Sequence, residues 1–392
     1  MKRPLVNLLS LLFGDLGSRF IGFLISVYLA RILEPTGFGI MSLGLAVLGY
    51  LQLAGSPGIQ VLETRNMAAV AEVDQKRVNA VISLRLVLAV ILWIGTAVVV
   101  NLFTLPDTTR DVIILFTCTL FPFAVFLDWF FQGKEAFIAI GFSRLIQYVS
   151  YGVLVLLLVH TADDVRRTAV AFGVGAATSA IALWLLYASK WRTLRFSWAP
   201  TLWKEILTKS VPVGAAVFFA QSVTNLPPLV IGYFSTVGDV GMFSSAMKLV
   251  FLLMLVDRLF NALFLPVVTR YFSSRPEEEV KKLAEVMLRT LLVIIIPLTA
   301  GGVILGRQAV VFVFGEGYQD AAHLVQILMG YFAFTVLNSL FVCVLLGSGR
   351  EKEYTKMLIW GSVVLCLAAI ALTAVFGVAG AATAVVFGEL VT

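Results

Sequence analysis

Apolar segments of about 20 residues recur along the whole chain, separated by short polar stretches. A segment of that length crosses a roughly 30 Å hydrocarbon layer as a helix. Because lipid offers backbone groups no hydrogen-bond partners, the segments must form helices or a closed barrel, and they lack the period-two alternation of barrel strands. Charged residues make up 13% of the 392 residues, about half the usual share in soluble domains. The sequence therefore predicts an all-α integral membrane protein.

The hydropathy pattern predicts about twelve spans. The first follows Lys2 and Arg3 and is too long for a cleaved leader, so we expect it to be retained. The last stops at Thr392 inside an apolar segment, which predicts a truncated final helix. The predicted spans cover residues 5–30, 38–56, 80–102, 111–131, 136–159, 167–188, 208–234, 240–266, 284–305, 321–346, 355–376 and 378–392.

Positive residues indicate the orientation of these spans. Most of the 29 Lys and Arg residues lie at the N-terminus or in even-numbered loops. Loops that are rich in Lys and Arg normally face the cytoplasm. We therefore expect a multi-pass protein of a bacterial or archaeal cytoplasmic (inner) membrane, with a cytoplasmic N-terminus. The formal charge of +6 then reflects membrane topology, and nucleic acid is not an expected partner.

The chain resembles itself at a shift of roughly 205 residues. The clearest match pairs residues 172–178 (FGVGAAT) with residues 376–383 (FGVAGAAT). Because six spans precede the repeat, both halves enter the membrane from the same side and are parallel repeats. Transporters built from such repeats usually bind their substrate between the two halves. We predict an N-terminal six-helix bundle at residues 1–205 and a C-terminal one at residues 206–392.

Three segments resemble a known family. They are residues 29–39 (LARILEPTGFG), 241–249 (GMFSSAMKL) and 314–322 (FGEGYQDAA). In this order they are similar to the polysaccharide-biosynthesis (Wzx-type) flippases of the multidrug, oligosaccharidyl-lipid and polysaccharide exporter superfamily. The resemblance implies two six-helix bundles around a central V-shaped cationic cavity. It also implies alternating-access flipping of undecaprenyl-diphosphate-linked oligosaccharide to the outer leaflet, for surface polysaccharide biosynthesis.

Ionisable residues within the spans are the candidate substrate-binding residues, because each costs roughly 2.5 to 3.5 kcal/mol at the bilayer centre and normally faces a cavity or a partner. Asp15 and Arg19 lie one turn apart, so either they form a structural pair or Arg19 points into the cavity and Asp15 modulates it. On the eighth span, Lys248 and Arg258 are about 80° apart around one helix axis, and Asp257 lies roughly opposite Lys248. We expect Arg19 and Lys248 to face one another across the cleft and to bind the diphosphate.

Secondary candidates lie in spans four, five and seven. Asp128 is either a site residue or an interfacial anchor, and Arg144 either meets a headgroup phosphate or follows the positive-inside rule. Asn225 precedes Pro227 and Pro228, which we expect to kink span seven. That kink is either a hinge for rocking or a packing irregularity.

Other functions remain open at this stage. A multidrug or cation antiporter and a peptidoglycan-precursor flippase belong to the same superfamily, and a membrane glycosyltransferase or polymerase would need larger outer loops with catalytic acids. We expect a protein that is not an enzyme, without cofactor or metal, with H⁺ or Na⁺ as the candidate coupling ion. The expected partners are the lipid-linked oligosaccharide, membrane lipids and the polysaccharide polymerase machinery.

Overall fold

A computed structural model describes residues 2–70, 72–191, 195–274 and 276–391; within these ranges the described side chains exclude those of residues 2–16, 216, 220, 273, 274 and 277. The described chain is helical and contains no strand. Its helices are α1 (Lys2–Gly55), α2 (Ile59–Ala69), α3 (Gln75–Leu102), α4 (Asp107–Cys118), α5 (Leu120–Ala124), α6 (Asp128–Gly133), α7 (Phe137–Leu158), α8 (Val165–Lys190), α9 (Pro200–Ala220), α10 (Ser222–Phe234), α11 (Val237–Leu253), α12 (Leu255–Ser274), α13 (Glu277–Phe314), α14 (Ala321–Gly347) and α15 (Glu351–Val391). The predicted all-α membrane class is confirmed.

Nine helical segments in the described ranges are long and apolar enough to span a membrane. Two of them, at residues 17–55 and 351–391, are each about 60 Å long at 1.5 Å per residue, or twice the hydrocarbon thickness. Each is interrupted by a positive φ, 59° at Glu34 and 58° at Gly377. Each therefore has the length of two crossings that meet at a bend. The total of twelve spans stays a prediction.

The fourth predicted span, residues 111–131, lies within a candidate span at residues 107–133 but is not one continuous helix. The structure divides it into α4, α5 and α6, with non-helical backbone at Val125 and Leu127. Pro122 lies within α5 and has no N–H to continue the helical hydrogen-bond pattern. The break leaves carbonyl groups inside the apolar layer, and these must find other donors.

The described chain packs as two units, Met1–Phe218 and Phe219–Thr392. The predicted boundary at residue 205 falls inside α9 and stays a prediction. The first turns of α9 pack within unit 1: the Trp203 indole N–H donates to the Ala80 carbonyl at 3.0 Å, and Ile206 is fully buried.

An aromatic cluster forms part of the core of unit 1. Phe130 lies 4.9 Å from both Tyr187 and Trp191 by ring centroids, in edge-to-face contact, which is a favoured geometry. The Tyr187 hydroxyl donates to the Gln75 side-chain oxygen at 2.8 Å, so its polar end is satisfied. This cluster fixes the short helix α6, and with it the position of Asp128.

Candidate functional site

A buried arginine on α3 satisfies the helix break in unit 1. Arg85 is 8% exposed, and its guanidinium donates to the carbonyls of Phe126 at 3.0 Å and Phe123 at 2.6 Å. These carbonyls lie where α5 ends and α6 begins, so they lack regular helical donors. A charged donor inside the apolar layer therefore stabilises backbone whose helical hydrogen bonds are interrupted.

Asp128 begins α6 beside this arginine. Its carboxylate accepts hydrogen bonds from the Gln60 side chain at 2.7 Å and from the Trp129 backbone N–H at 2.9 Å. It also interacts electrostatically with Arg85 and Arg144. The structure thus brings together two predicted secondary candidates, Asp128 and Arg144, and adds Arg85. The sequence interpretation had treated Arg85 only as a topology charge at a helix end.

An ion pair in unit 1 joins α2 to α3. Glu63 is fully buried, and its carboxylate accepts two hydrogen bonds from Arg77, at 2.9 and 2.7 Å. Asn66 donates a third at 3.0 Å. Arg77 also lies 3.7 Å from Glu205 on α9, whose pKa is lowered chiefly by the hydrogen bond from Lys209. The sequence interpretation did not identify this pair, because Glu63 belongs to a short helix outside the apolar segments.

A polar cluster in unit 2 surrounds Asp257. Its carboxylate accepts hydrogen bonds from the Ser339 hydroxyl and, at 3.1 Å, from Asn261 Nδ2. Asn261 Nδ2 also lies 3.2 Å from the Ser339 oxygen, and the Cys343 thiol donates to Asn261 Oδ1 at 3.4 Å. The cluster therefore joins α12 to α14 through polar side chains within apolar segments.

A second carboxylate lies near this cluster. Glu389 on α15 accepts a hydrogen bond from Asn338 Nδ2 at 3.2 Å, and it interacts electrostatically with Asp257. Two acidic groups from two helices of unit 2 thus share one polar region. Glu389 was missed, although the reasoning that selected Asp257, an acid within an apolar segment, applies to it equally.

The predicted cations of the eighth span lie on two helices rather than one. Lys248 is half-buried on α11, whereas Arg258 is exposed on α12 next to Asp257. The helices meet at a turn at Met254, so the angle of about 80° calculated for one continuous helix does not apply. That correction follows from local backbone geometry, which hydropathy does not reveal.

Arg19 lies on α1 in unit 1 with its side chain exposed. The Asp15 side chain lies outside the described residues, so its pairing with Arg19 stays a prediction. The same holds for the facing of Arg19 and Lys248, which belong to different units.

The proline pair of the seventh span follows a helix break. The helix α9 ends at Ala220 and α10 begins at Ser222, with the turn at Gln221. Pro227 and Pro228 are buried within α10, and Asn225 is half-buried one turn after the break. The two prolines have no N–H to donate to the Val223 and Thr224 carbonyls, so the helical hydrogen-bond pattern is interrupted within α10 as well. Their role as a hinge stays a prediction.

Carboxylates, amides and hydroxyls in these clusters could hold a proton or a hard monovalent cation. Within the described ranges, no group of three or more His, Cys, Asp and Glu side chains is arranged to hold a metal ion. The chemistry available is therefore binding of charge inside an apolar layer, by cations in both units and by carboxylates in unit 2.

Comparison with known proteins places these features in a family. The family described as polysaccharide biosynthesis protein matches residues 5–272, more than half of the chain. The chain belongs to this family. It is 25% identical over 373 residues to a protein of Escherichia coli (strain K12) named "Putative O-antigen transporter", covering 91% of this chain and 86% of that protein.

Two solved structures share the fold of this family member. A multidrug resistance MATE family transporter of the MOP superfamily, in an inward-facing conformation, aligns with a TM-score of 0.74 at 16% identity, over 95% of this chain and 91% of its own. The lipid II flippase MurJ, in an inward closed conformation, aligns with a TM-score of 0.75 at 13% identity, over 97% of this chain and 85% of its own. The chain is thus a multi-pass helical membrane protein with a MOP-superfamily fold.

Proposed function

We propose that the protein flips undecaprenyl-diphosphate-linked oligosaccharide from the inner to the outer leaflet of a bacterial or archaeal cytoplasmic membrane, by alternating access. The product serves surface polysaccharide biosynthesis. The observation that carries the proposal is the match to the polysaccharide biosynthesis family over residues 5–272. The relative named as an O-antigen transporter and the flippase with the same fold support it.

Cations within the spans supply the chemistry that this cargo needs. A diphosphate cannot enter hydrocarbon with unpaired charges, and Lys and Arg offer charge-assisted hydrogen bonds to its oxygens. Lys248 is half-buried in an apolar helix, and Arg19 and Arg144 lie on spans of unit 1. In this proposal the cations hold the diphosphate while the sugar and the lipid tail follow.

The membrane potential can drive the cargo outward. Two negative charges leaving a negative interior gain roughly 4.6 kcal/mol per 100 mV if nothing compensates them. Asp257 and Glu389 are the candidate site for a coupling H⁺ or Na⁺, because two carboxylates in one polar region favour a bound cation. An Asp257→Asn variant then loses the dependence of transport on the pH or sodium gradient.

A multidrug or cation antiporter is the second candidate. The specific observation in its favour is this pair of carboxylates in unit 2, together with the fold shared with a multidrug transporter. The two candidates differ in cargo charge: an antiporter of organic cations relies on the carboxylates, whereas the flippase relies on the cations of both units.

Deletion followed by lipid analysis tests the proposal. A strain without the protein accumulates the lipid-linked oligosaccharide on the inner leaflet, and complementation with the wild-type chain restores surface polysaccharide. Arg19→Ala and Lys248→Ala insert normally but fail to complement. Arg350→Ala, an exposed loop cation, complements fully. Complementation by Arg19→Ala and Lys248→Ala at normal protein levels contradicts the roles assigned to these cations. Absence of accumulated lipid-linked sugar contradicts the cargo.

A further inference from the structure

A groove of about 350 Å³ opens on unit 1 between α3, α5, α8 and residues 195–196. Its volume lies in the range of small-molecule sites, roughly 300 to 1,000 Å³. The walls include Leu86, Val125 and Ile181, and among the described residues that line it Ser83 and Arg195 are the hydrophilic ones. The groove is therefore an apolar channel with one cationic residue.

Two hydrogen bonds from backbone N–H groups hold the wall that contains Arg195, here called the cationic wall, against α3. The Arg195 N–H donates to Asn79 Oδ1 at 3.2 Å, and the Ser197 N–H donates to the Ser83 hydroxyl oxygen at 2.8 Å. Both acceptors belong to the first turns of α3. Residues 195 and 197 are thus fixed against α3, and Arg195 lines the same wall of the groove as Ser83.

The cationic wall lies where two spans end. Helix α3 begins at Gln75 and α8 ends at Lys190, so this part of unit 1 corresponds to a membrane–water boundary. Aromatic side chains are exposed beside it, 62% for Phe196 and 69% for Trp198. Exposed aromatic residues with adjacent cations are typical of the headgroup layer.

We propose that this groove binds an anionic phospholipid of the surrounding leaflet, with its phosphate at Arg195 and one acyl chain along the apolar walls. Charge complementarity carries the assignment, because Arg195 is the cation among the residues that line an otherwise apolar channel. A helix about 10 Å across needs more room than this volume offers, which favours a chain over a protein segment. The residues that line the groove do not include Arg19 or Arg144, the cations of unit 1 proposed to hold the cargo.

Lipid titration of the purified full chain tests this proposal. Binding of phosphatidylglycerol and of phosphatidylcholine with the same acyl chains is measured by native mass spectrometry. The wild type binds phosphatidylglycerol more tightly. Arg195→Gln weakens phosphatidylglycerol binding about fivefold and leaves phosphatidylcholine unchanged, as expected for one cation at the membrane surface. Arg350→Gln is the matched control and changes neither.

Filling the groove provides a second, independent test. Ile181→Trp adds bulk at a lining residue that is 53% exposed, so it folds with little strain and weakens binding of both lipids. If Ile181→Trp fails to fold, Ala177→Phe fills the same groove from another lining position. Equal binding of the two lipids by the wild type, or an unchanged headgroup preference in Arg195→Gln, overturns the proposal. Displacement of phosphatidylglycerol by a polyprenyl diphosphate also overturns it, because the groove then belongs to the cargo.

Discussion

The buried ion pair between Glu63 and Arg77 gives the sharpest prediction about stability. Replacing Arg77 with Met keeps most of the side-chain length but leaves the Glu63 carboxylate without its two guanidinium hydrogen bonds. Glu63 is fully buried, so water cannot replace those donors, and Asn66 supplies only one. Removing one partner of a buried pair costs about 3 to 5 kcal/mol.

We expect the lower end of that range, because the Arg77 side chain is 19% exposed. A loss of about 3 kcal/mol corresponds to a fall in melting temperature of about 6 to 12 °C for a unit of this size. The assay is thermal unfolding of the purified protein in detergent, followed by tryptophan fluorescence. Arg350→Met is the control, because its pair with Glu353 spans 3.8 Å and is exposed, and it should change stability by less than about 0.5 kcal/mol.

The double variant Glu63→Met, Arg77→Met separates the cause. Replacing both partners removes the unpaired charge, so the double variant should be more stable than Arg77→Met alone. Equal melting temperatures for Arg77→Met and the Arg350→Met control would refute the reasoning. A double variant that is less stable than Arg77→Met alone would also refute it.

Three further predictions follow from single residues. Arg85→Leu leaves the Phe126 carbonyl without its guanidinium donor and the Phe123 carbonyl with backbone donors alone. It should lower the free energy of unfolding by about 2 to 4 kcal/mol, measured by thermal unfolding; a change below about 0.5 kcal/mol contradicts the role of Arg85. Gly58→Ala should prevent stable folding, because φ is 68° and a Cβ would lie 2.6 Å from the Gly214 nitrogen. Gly349→Ala, at φ 76° in open space, should lower the free energy of unfolding by only about 1 to 2 kcal/mol. Equal yields and melting temperatures of the two variants would refute this contrast. The hydrogen bond from Lys209 lowers the pKa of Glu205, so this pair stabilises the folded state above the usual glutamate pKa and stops doing so as pH falls through the lowered pKa. The difference in melting temperature between wild type and Lys209→Gln should therefore vanish on acidification. A difference that stays constant with pH contradicts this.

The sequence predicted the elements that depend on local pattern. Helix α7, at residues 137–158, lies within one residue of its predicted limits because a mainly apolar segment between two polar loops marks it. The same reasoning identified Asp257 and Lys248 as charges within apolar segments. It placed both on one helix axis, since nothing in the composition near Met254 signals the turn between α11 and α12.

The polar networks depend on contacts between distant parts of the chain. Arg85 meets carbonyls about 40 residues away, and only the break between α5 and α6 explains why it is buried. Glu389 and Asp257 interact electrostatically, and two adjacent residues of α14, Asn338 and Ser339, each donate a hydrogen bond to one of them. Hydropathy treats each segment separately, so it can select charged residues but cannot pair them.

Transport by the purified protein in liposomes tests the central claim most directly. The assay follows the movement of an undecaprenyl-diphosphate-linked oligosaccharide between leaflets, with the wild type, Lys248→Ala and the control Arg350→Ala in parallel. We expect the wild type and the control to move the lipid-linked oligosaccharide between leaflets. The rate for Lys248→Ala should be at least about tenfold lower, as expected for loss of one charge-assisted hydrogen bond. Equal rates in all three proteins, or transport of an organic cation with no movement of the lipid-linked sugar, would contradict the central claim.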